Sequence, residues 1–541
     1  MNRRAFLRTT AAGGAGLTAG IGCAPPGAES PAGGGGPGEV PPFEFDEVTV
    51  PELQRMMESG EHTARSITEA YLGRIEALDR QGPELRSYIE INPDALAIAD
   101  ELDGERTAGS VRGPLHGVPV ALKDNLDTHD RMTTTAGSLA LAGSIPPRDS
   151  FVAERLRAAG AILLGKLNMS EWAYFRGERA TSGWSARGGQ CRNPYALDRN
   201  PCGSSSGSGV AASANLCALT VGTETGGSIM CPSSSNGIVG IKPTVGLWSR
   251  SGIIPISHSQ DTAGPMTRTV TDAALLLGAA VGVDPRDEAT ARSEGNFQTD
   301  YAQFLDPAGL QGARIGVARS FTGFDPRIMD LFEDAIGAMR DAGAVIVDPA
   351  NLPEAAWNDE LPLLVLEYEF KADLNAYLAT LGPDAPVQSL AEIIEFNERN
   401  AELEMPHFGH ERMVASEARG PLTDEAYLHA VRTIQRANRE DGIDALVIEH
   451  ELDAIVAPTR DLPWVTDHIK GDRLDGGSSA GPAAIAGYPD ISVPMGFVKG
   501  LPVGVSFFGR AWTEPALIRI AYAFEQATGQ RRAPGFAATL G

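Results

Sequence analysis

Cysteine is scarce in this chain of 541 residues, which contains only five. Cys23 lies near the N-terminus, and Cys191, Cys202, Cys217 and Cys231 lie in the body of the chain. No two of them form a CxxC pair, and so few thiols in so long a chain are not a disulfide framework. We therefore expect the four internal cysteines to be small buried side chains without disulfide bonds.

Basic residues are also few, because 45 Lys and Arg stand against 70 Asp and Glu, for a formal net charge of −25. A surface this acidic repels phosphate backbones, so nucleic acid is not an expected partner. No GxGxxG follows an early strand, HExxH is absent, and "GSSSGSG" lacks the lysine of a phosphate loop. His407 and His410 have no convincing third ligand, so we expect surface histidines. These motifs for a dinucleotide, a phosphate loop and a zinc site are therefore set aside.

The N-terminal segment is too short and too rich in glycine to span a membrane. Residues 1–23 place Arg3 and Arg4 before a weakly apolar run, which is typical of a twin-arginine export signal, although a merely disordered basic terminus is the alternative. The run ends at Cys23, a candidate lipid anchor behind an imperfect lipidation box. Residues 24–42 have the Pro/Gly-rich composition of a flexible linker. We expect a periplasmic or extracellular protein.

From residue 43 to residue 541 the chain alternates short apolar runs with amphipathic segments. This alternation predicts one α/β domain with a sheet covered by helices on both sides. The expected strands are at 116–127, 161–169, 237–243, 453–458, 490–498 and 502–509, with a short one before the glycines at 226–227.

The expected helices include 66–78, where Ser66 and Glu69 have capping-box spacing, and 514–529. Residues from about 325 to 450 read mostly as helix, so we interpret them as an insertion into the sheet.

Two segments rich in serine and glycine carry the strongest chemical signal: "NPCGSSSGSGV" at 200–210 and "GTETGGSIMC" at 222–231. The first contains G-x-S-x-G around Ser205, as in the nucleophile elbow of α/β-hydrolases. That interpretation needs an acid and a histidine in suitable loops downstream, and no histidine lies in such a loop. The alternative needs no histidine, because a neutral lysine can be the base that activates a serine.

Lys123 is the candidate base, since it ends the apolar run "VPVAL" and burial lowers the pKa of a lysine. The competing interpretation is a salt bridge with a neighbour such as Asp124. Ser204 could relay the effect of the lysine to Ser228, 24 residues further along the chain. The glycine turn before Ser228 offers backbone N–H groups for an oxyanion.

Five ordered motifs now make the chain resemble the amidase signature family: "GPLHGVPVALKDNLDT", "GAILLGKLNMSEWA", "GSSSGSG", "GTETGGSI" and "GIVGIKPT". The resemblance implies a mixed sheet of about eleven strands with covering helices. It implies an amidase with a Ser-Ser-Lys triad, no cofactor, and a small-molecule or peptide amide as substrate. The implied roles are catalytic for Lys123, Ser204 (after a cis peptide bond) and Ser228, oxyanion hole for Thr225, Gly226, Gly227 and Ser228, and support for Ser205.

The motif spelling is most similar to that of bacterial peptide amidases, which release ammonia from C-terminal peptide amides. Gly226 stands where those relatives often carry Asp, and Met230 stands where many family members carry arginine. We expect both positions at the substrate pocket, and an apolar Met230 disfavours a carboxylate-bearing substrate. We also expect pocket-shaping residues from the helical insertion.

Two other functions share these motifs. One is that of the amidase-type component of a glutamyl-tRNA amidotransferase, which the export signal and the negative charge disfavour. The other is a non-catalytic binding lipoprotein on the same scaffold, which the retained Lys123, Ser204 and Ser228 disfavour. We expect a monomer or a homodimer.

Overall fold

The computed structural model describes residues 40–353, 360–473 and 476–540. The expected export signal, Cys23 and all but the last three residues of the expected linker lie outside these ranges. Among the helices of the described residues, none is long and apolar enough to cross a membrane.

Thirteen strands occur in the described residues. They are β1 (Tyr88–Ile91), β2 (Pro119–Lys123), β3 (Ile162–Leu167), β4 (Trp184–Ser185), β5 (Gly189–Gln190), β6 (Leu219–Glu224), β7 (Val239–Lys242), β8 (Thr262–Thr267), β9 (Arg314–Val317), β10 (Val345–Val347), β11 (Ala454–Pro458), β12 (Asp490–Val498) and β13 (Leu501–Phe508). Eleven of them form one sheet in the order β1-β3-β2-β6-β8-β7-β12-β13-β11-β9-β10, while β4 and β5 form a small hairpin. The expected single α/β domain with an eleven-stranded mixed sheet is confirmed.

Sixteen α-helices surround the sheet in the described residues. They are α1 (Val50–Ser59), α2 (Ala64–Ile75), α3 (Ala95–Thr107), α4 (Phe151–Ala158), α5 (Ser206–Ser213), α6 (Met230–Ser235), α7 (Val270–Ala279), α8 (Pro326–Asp341), α9 (Leu361–Thr380), α10 (Leu390–Arg399), α11 (Ala401–Glu404), α12 (Glu411–Glu417), α13 (Glu425–Asn438), α14 (Ala445–His450), α15 (Ala480–Ala486) and α16 (Glu514–Thr528). Every residue of β2, β3, β6 and β7 is buried, as expected for strands covered by helices on both faces.

The sheet positions the site because β2 and β6 are neighbours and run parallel. Parallel neighbours end at the same edge, so the residues that follow them meet there. Lys123 is the last residue of β2, and Glu224 is the last residue of β6. The turn that contains Gly226, Gly227 and Ser228 therefore begins beside Lys123.

Helix α5 brings the other serine-rich segment to the same edge. Its residues are small because the helix lies very close to the backbone of its neighbours. A Cβ atom added at Gly207 would lie 2.4 Å from the Ser87 carbonyl oxygen and 2.5 Å from that of Asn168. A side chain at this position would push the helix, and the serines before it, away from Ser87 and Asn168.

The start of α2 corrects the expected capping box. Thr63 is the N-cap, its hydroxyl accepts from the Ser66 backbone N–H at 3.1 Å, and the Ser66 hydroxyl accepts from the Thr63 backbone N–H at 3.0 Å. Glu69 instead pairs with Arg65 on the helix surface at 3.0 Å. The helix begins earlier than expected because Thr63 already satisfies the free N–H groups of the first turn.

The region from 325 to 450 is not wholly helical. The strand β10 lies within it and pairs parallel with β9 at the edge of the sheet. Helices α9, α10 and α12 pack instead against the loops that surround the site, through a buried cluster that includes Trp172, Phe175, Ile256, Phe370 and Met413. The insertion therefore forms a wall over the carboxyl edge of β2 and β6.

Candidate active site

Lys123 is fully buried and is hydrogen bonded to hydroxyl groups. Its Nζ atom lies 2.7 Å from Ser204 Oγ and 2.8 Å from Thr223 Oγ1, and it also donates to the Thr223 carbonyl at 3.3 Å. Burial lowers the pKa of Lys123 to about 7, against the opposing effect of the Asp261 and Glu224 charges. A large share of the amine is therefore neutral near pH 7 and can accept a proton.

The alternative salt bridge between Lys123 and Asp124 does not form. The Asp124 carboxylate accepts from the Thr135 hydroxyl and from the Gly137 backbone N–H at 3.0 Å. Among the described residues, no carboxylate lies within ion-pair distance of Lys123. The lysine is thus held by hydroxyl groups, in the arrangement that leaves it free to lose its proton.

Ser204 and Ser205 follow each other at the start of α5 but make different contacts. The Gly203–Ser204 peptide bond is cis, and the Ser204 carbonyl accepts from the Ser170 backbone N–H at 3.0 Å. The Ser205 hydroxyl donates to the Thr223 carbonyl at 2.9 Å and accepts from the Thr223 N–H at 3.1 Å. Ser205 therefore fastens this segment to the end of β6, whereas Ser204 faces Lys123.

The turn after β6 places Ser228 beside a cavity. Gly227 has a φ of +94°, a left-handed conformation that glycine adopts without strain. Gly226 is exposed, and a Cβ atom added there would meet nothing within 4 Å. Ser228 is half-buried, and its carbonyl accepts from the Ser205 backbone N–H at 3.2 Å. The two serine-rich segments are thus hydrogen bonded directly to each other.

Glu224, the last residue of β6, supports this turn through hydrogen bonds. Its role was not identified from the sequence. Its Oε2 atom accepts from the backbone N–H groups of Ile229 and Met230 at 2.7 and 3.0 Å. The side chain is almost fully buried. It therefore holds the chain immediately after Ser228 against the end of β6. The acid four residues before Ser228 in "GTETGGS" is the signal that could have pointed to this role.

Asp261 holds the other side of the turn and was also missed. Its Oδ1 atom accepts from the Thr225 hydroxyl, and its Oδ2 atom accepts from the backbone N–H groups of Ile256 and Ser257 at 2.8 Å each. Burial raises the pKa of Asp261 to about 6, although these hydrogen bonds oppose the rise. This carboxylate ties Thr225 to the loop before β8, and nothing in a single sequence distinguishes it from other acids.

A cavity of about 370 Å³ opens beside Ser228. Residues from the catalytic segments line it, and the helical insertion contributes Leu363 and Leu366 from α9 and Arg412 from α12. The expectation that the insertion shapes the pocket is therefore confirmed. The lining from the catalytic segments is Cys202, Gly203, Ser204, Thr225, Gly226, Gly227, Ser228 and Cys231.

Met230 does not lie where the sequence suggested. It is fully buried and belongs to an apolar cluster with Ala212, Ile229, Ile238 and Met266. It is absent from the described lining of the cavity. As the first residue of α6, it points into the core behind the turn, so it gives no information about the charge of the substrate.

The expectation of four free cysteines is wrong for two of them. Cys202 and Cys231 form a disulfide bond, whereas Cys191 and Cys217 are buried free thiols. The bond joins the residue two before Ser204 to the residue three after Ser228. The composition argument failed because the fold brings two cysteines together that are 29 residues apart in the chain.

The two histidines singled out in the sequence differ in exposure. His407 is exposed as expected, but His410 is buried against α10. His258 lies 2.9 Å from an Asp373 oxygen and 3.5 Å from a Glu369 oxygen. Among the described residues, no histidine lines the cavity beside Ser228. The histidine-dependent α/β-hydrolase interpretation of Ser205 therefore has no support.

The fold and the site together define the class: a protein with an eleven-stranded α/β sheet whose site is built from a buried lysine, serines and a glycine turn. A family model described as Amidase matches residues 66–518. The chain therefore belongs to the amidase family, and its activity is that of an amide hydrolase.

Individual relatives agree with this assignment. The crystal structure of native peptide amidase from Stenotrophomonas maltophilia is 52% identical, with a TM-score of 0.88, and the match covers 92% of this chain and 100% of that chain. A probable amidase of Arabidopsis thaliana is 43% identical over 505 residues, covering 92% of this chain and 93% of the relative. A putative amidase of Schizosaccharomyces pombe is 37% identical over 520 residues, covering 91% of this chain and 87% of the relative.

Proposed function

We propose that the protein hydrolyses C-terminal peptide amides through an acyl-enzyme on Ser228. The observation that carries this proposal is the contact of 2.7 Å between a fully buried lysine, Lys123, and Ser204, at the edge of the sheet where the Ser228 turn begins. A base of this kind is what a serine hydroxyl needs before it can act as a nucleophile.

The proton path begins at the hydrogen bond between Lys123 and Ser204. Neutral Lys123 takes the Ser204 proton while Ser204 takes the Ser228 proton, and Ser228 Oγ then attacks the amide carbon. The backbone N–H groups from Thr225 to Ser228 stabilise the oxyanion that forms. The proton returns through Ser204 to the leaving nitrogen, so ammonia departs. A water molecule then hydrolyses the ester on Ser228, with the same relay accepting its proton.

The substrate class rests on the cavity and on the relatives. Leu363 and Leu366 lie one helical turn apart on α9 and present an apolar wall that suits a side chain of a peptide. The cavity of about 370 Å³ has room for one or two residues. The solved structure that is 52% identical over nearly the whole chain is a peptide amidase.

The test is ammonia release by residues 24–541 from a panel of amides. The panel contains C-terminal peptide amides, free amino-acid amides, simple aliphatic and aryl amides, and free glutamine. Each is run beside Ser228→Ala, with circular dichroism to show that the variant is folded. We expect release from peptide amides that depends on Ser228.

Other outcomes would replace parts of the proposal. Release from small or aryl amides alone would keep the mechanism and remove the peptide amide as substrate. Release from glutamine alone would favour the amidotransferase-like alternative. Activity that survives in Ser228→Ala would remove Ser228 as nucleophile, and no release from any amide would favour the binding lipoprotein.

A further inference from the structure

The cavity beside Ser228 carries charge of only one sign. Among the described residues that line it, the ionised side chains are Arg412 and Arg460, and none is a carboxylate. This contrasts with the chain as a whole, whose formal net charge is −25. In a protein with a negative net charge, a cavity lining with positive charge favours the binding of an anionic group there.

The two arginines differ in their contacts. Arg460 is largely buried, donates to the carbonyl of Gly476 at 3.2 Å, and lies over the Trp464 ring at 5.7 Å. Arg412 is half-buried, and its guanidinium has no ion pair and no hydrogen bond with the described residues. Its backbone is nevertheless fixed, because its N–H donates to the Arg176 carbonyl at 3.0 Å.

Tyr174 lines the same cavity as the two arginines and is within range of their charges and of the Asp472 charge. Burial raises the pKa of the Tyr174 phenol and the Asp472 charge adds to the rise, whereas the charges of Arg412 and Arg460 oppose it. Both arginines are thus near enough to the phenol to act on its ionisation. The positive charges are therefore close to the place where a bound substrate must lie.

From these observations we infer that Arg412 is a specificity residue that binds a carboxylate on the amide substrate. A half-buried guanidinium binds carboxylates well, because it can donate two parallel hydrogen bonds to one of them. The inference rests on the proposed amide hydrolysis and adds the charge of the substrate. The expectation drawn from Met230 was that the substrate carries no carboxylate. The inference reverses it, because Arg412 of α12 supplies the positive charge that position 230 lacks.

The carboxylate could come from an acidic side chain of a peptide amide or from the α-carboxylate of free glutamine. The structure favours the acidic peptide, because the apolar wall from Leu363 and Leu366 needs a substrate larger than glutamine. Free glutamine remains one arm of the test.

The experiment compares kcat/KM for N-acetyl-Glu-Leu amide, N-acetyl-Met-Leu amide and N-acetyl-Lys-Leu amide. A second set has the two residues in reverse order, so that Glu, Met or Lys stands next to the amide. Free glutamine is the last substrate. Glu and Met are of similar length, so their ratio reports charge. We expect a preference for Glu over Met in the native enzyme. Arg412→Gln should reduce that ratio about ten- to hundredfold, mainly through KM, since a charge-assisted hydrogen bond is lost.

Two control variants separate charge at the cavity from charge in general. Arg412→Lys keeps the positive charge and should keep part of the preference. Arg436→Gln removes an arginine from α13 whose side chain is 73% exposed and should leave the ratio unchanged. Added salt should reduce the preference in the native enzyme.

Binding provides a readout that does not depend on turnover. In a Ser228→Ala background, calorimetry should show tighter binding of the Glu peptide amides than of the Met peptide amides, and Arg412→Gln should abolish the difference. If turnover fails on every amide but this difference is found, the proposed function is wrong and the carboxylate site stands. If Glu and Met peptides bind and react alike, or if Arg412→Gln leaves their ratio unchanged at both positions, the inference is overturned. A preference seen only with glutamine would assign the carboxylate to the amino acid and overturn the peptide as its source.

Discussion

Replacing Lys123 with Met tests the buried lysine through the stability of the fold. Burial lowers the pKa of Lys123 from an ordinary value of 10.5 to about 7. The unfolded chain therefore binds more protons than the folded chain between these two values, so this residue makes stability rise with pH across that window. One pKa unit corresponds to about 1.4 kcal/mol. The lowered pKa of Lys123 therefore reduces the free energy of unfolding by about 4 kcal/mol at pH 7 and by about 2 kcal/mol at pH 9.

The Lys123→Met variant lacks this pH-dependent cost. It also leaves the Ser204 and Thr223 hydroxyls without their donor, which offsets part of the gain at every pH. The quantity to measure is therefore the change in unfolding free energy between the two pH values, compared between the native protein and the variant. Between pH 7 and pH 9, the stability of the native protein should rise relative to that of the variant by about 2 kcal/mol.

Urea denaturation at both pH values, followed by circular dichroism, measures this quantity. Lys499→Met is the matched control, since Lys499 is exposed in the turn between β12 and β13 and its loss should not change the pH dependence. Equal pH dependence of stability in the native protein and in Lys123→Met would refute the argument that Lys123 is destabilised as a cation. The same variant should lose amide hydrolysis by several orders of magnitude, because the proposed base is gone.

Further predictions concern pH, the support of the turn, the disulfide and export. The rate of amide hydrolysis should rise from pH 5 to a plateau with a midpoint near pH 7, the pKa of Lys123, and a rate independent of pH across this range would contradict a lysine base. Glu224→Ala should lower kcat about ten- to hundredfold with little change in KM, because the turn loses two backbone hydrogen bonds. Glu224→Gln should restore part of the rate. An unchanged kcat for Glu224→Ala would show that the turn keeps its position without Glu224. Replacing Cys202 and Cys231 with Ser should lower the free energy of unfolding by about 3–4 kcal/mol, since the bond closes a loop of 29 residues, and an unchanged urea midpoint would mean that the thiols are reduced in the purified protein. Exchange of Arg3 and Arg4 for Lys should retain the full-length protein in the cytoplasm on cell fractionation, and normal export would argue against a twin-arginine signal.

The parts of the site that could be predicted are those with strong local constraints. Lys123 could be located because an apolar run ended in a charged residue, and a charge in such a place needs a reason. Ser204 and Ser228 could be located because glycines next to them indicate that the backbone must approach something closely. The strands β11 and β12 were predicted almost to the residue, since buried strands read as continuous apolar runs.

The parts that could not be predicted depend on distances between segments that are remote in the sequence. Asp261 and Arg412 are two among 115 charged residues, and only the fold shows that one supports the turn and the other lines the cavity. Cys202 and Cys231 meet because α5 and α6 both start at the edge near β6. Met230 was misplaced because the helix that begins there turns its side chain away from the cavity.

Catalysis and the shaping of the pocket are assigned to different stretches of the chain. The groups assigned to the chemistry lie between Lys123 and Ser228, whereas Leu363, Leu366 and Arg412 reach the cavity from helices more than a hundred residues later. Changes of side chains between α9 and α12 can therefore alter one wall of the pocket without changing Lys123, Ser204 or Ser228. Such an arrangement is modular, and it allows one hydrolytic apparatus to acquire new substrates by changes in a single stretch of sequence.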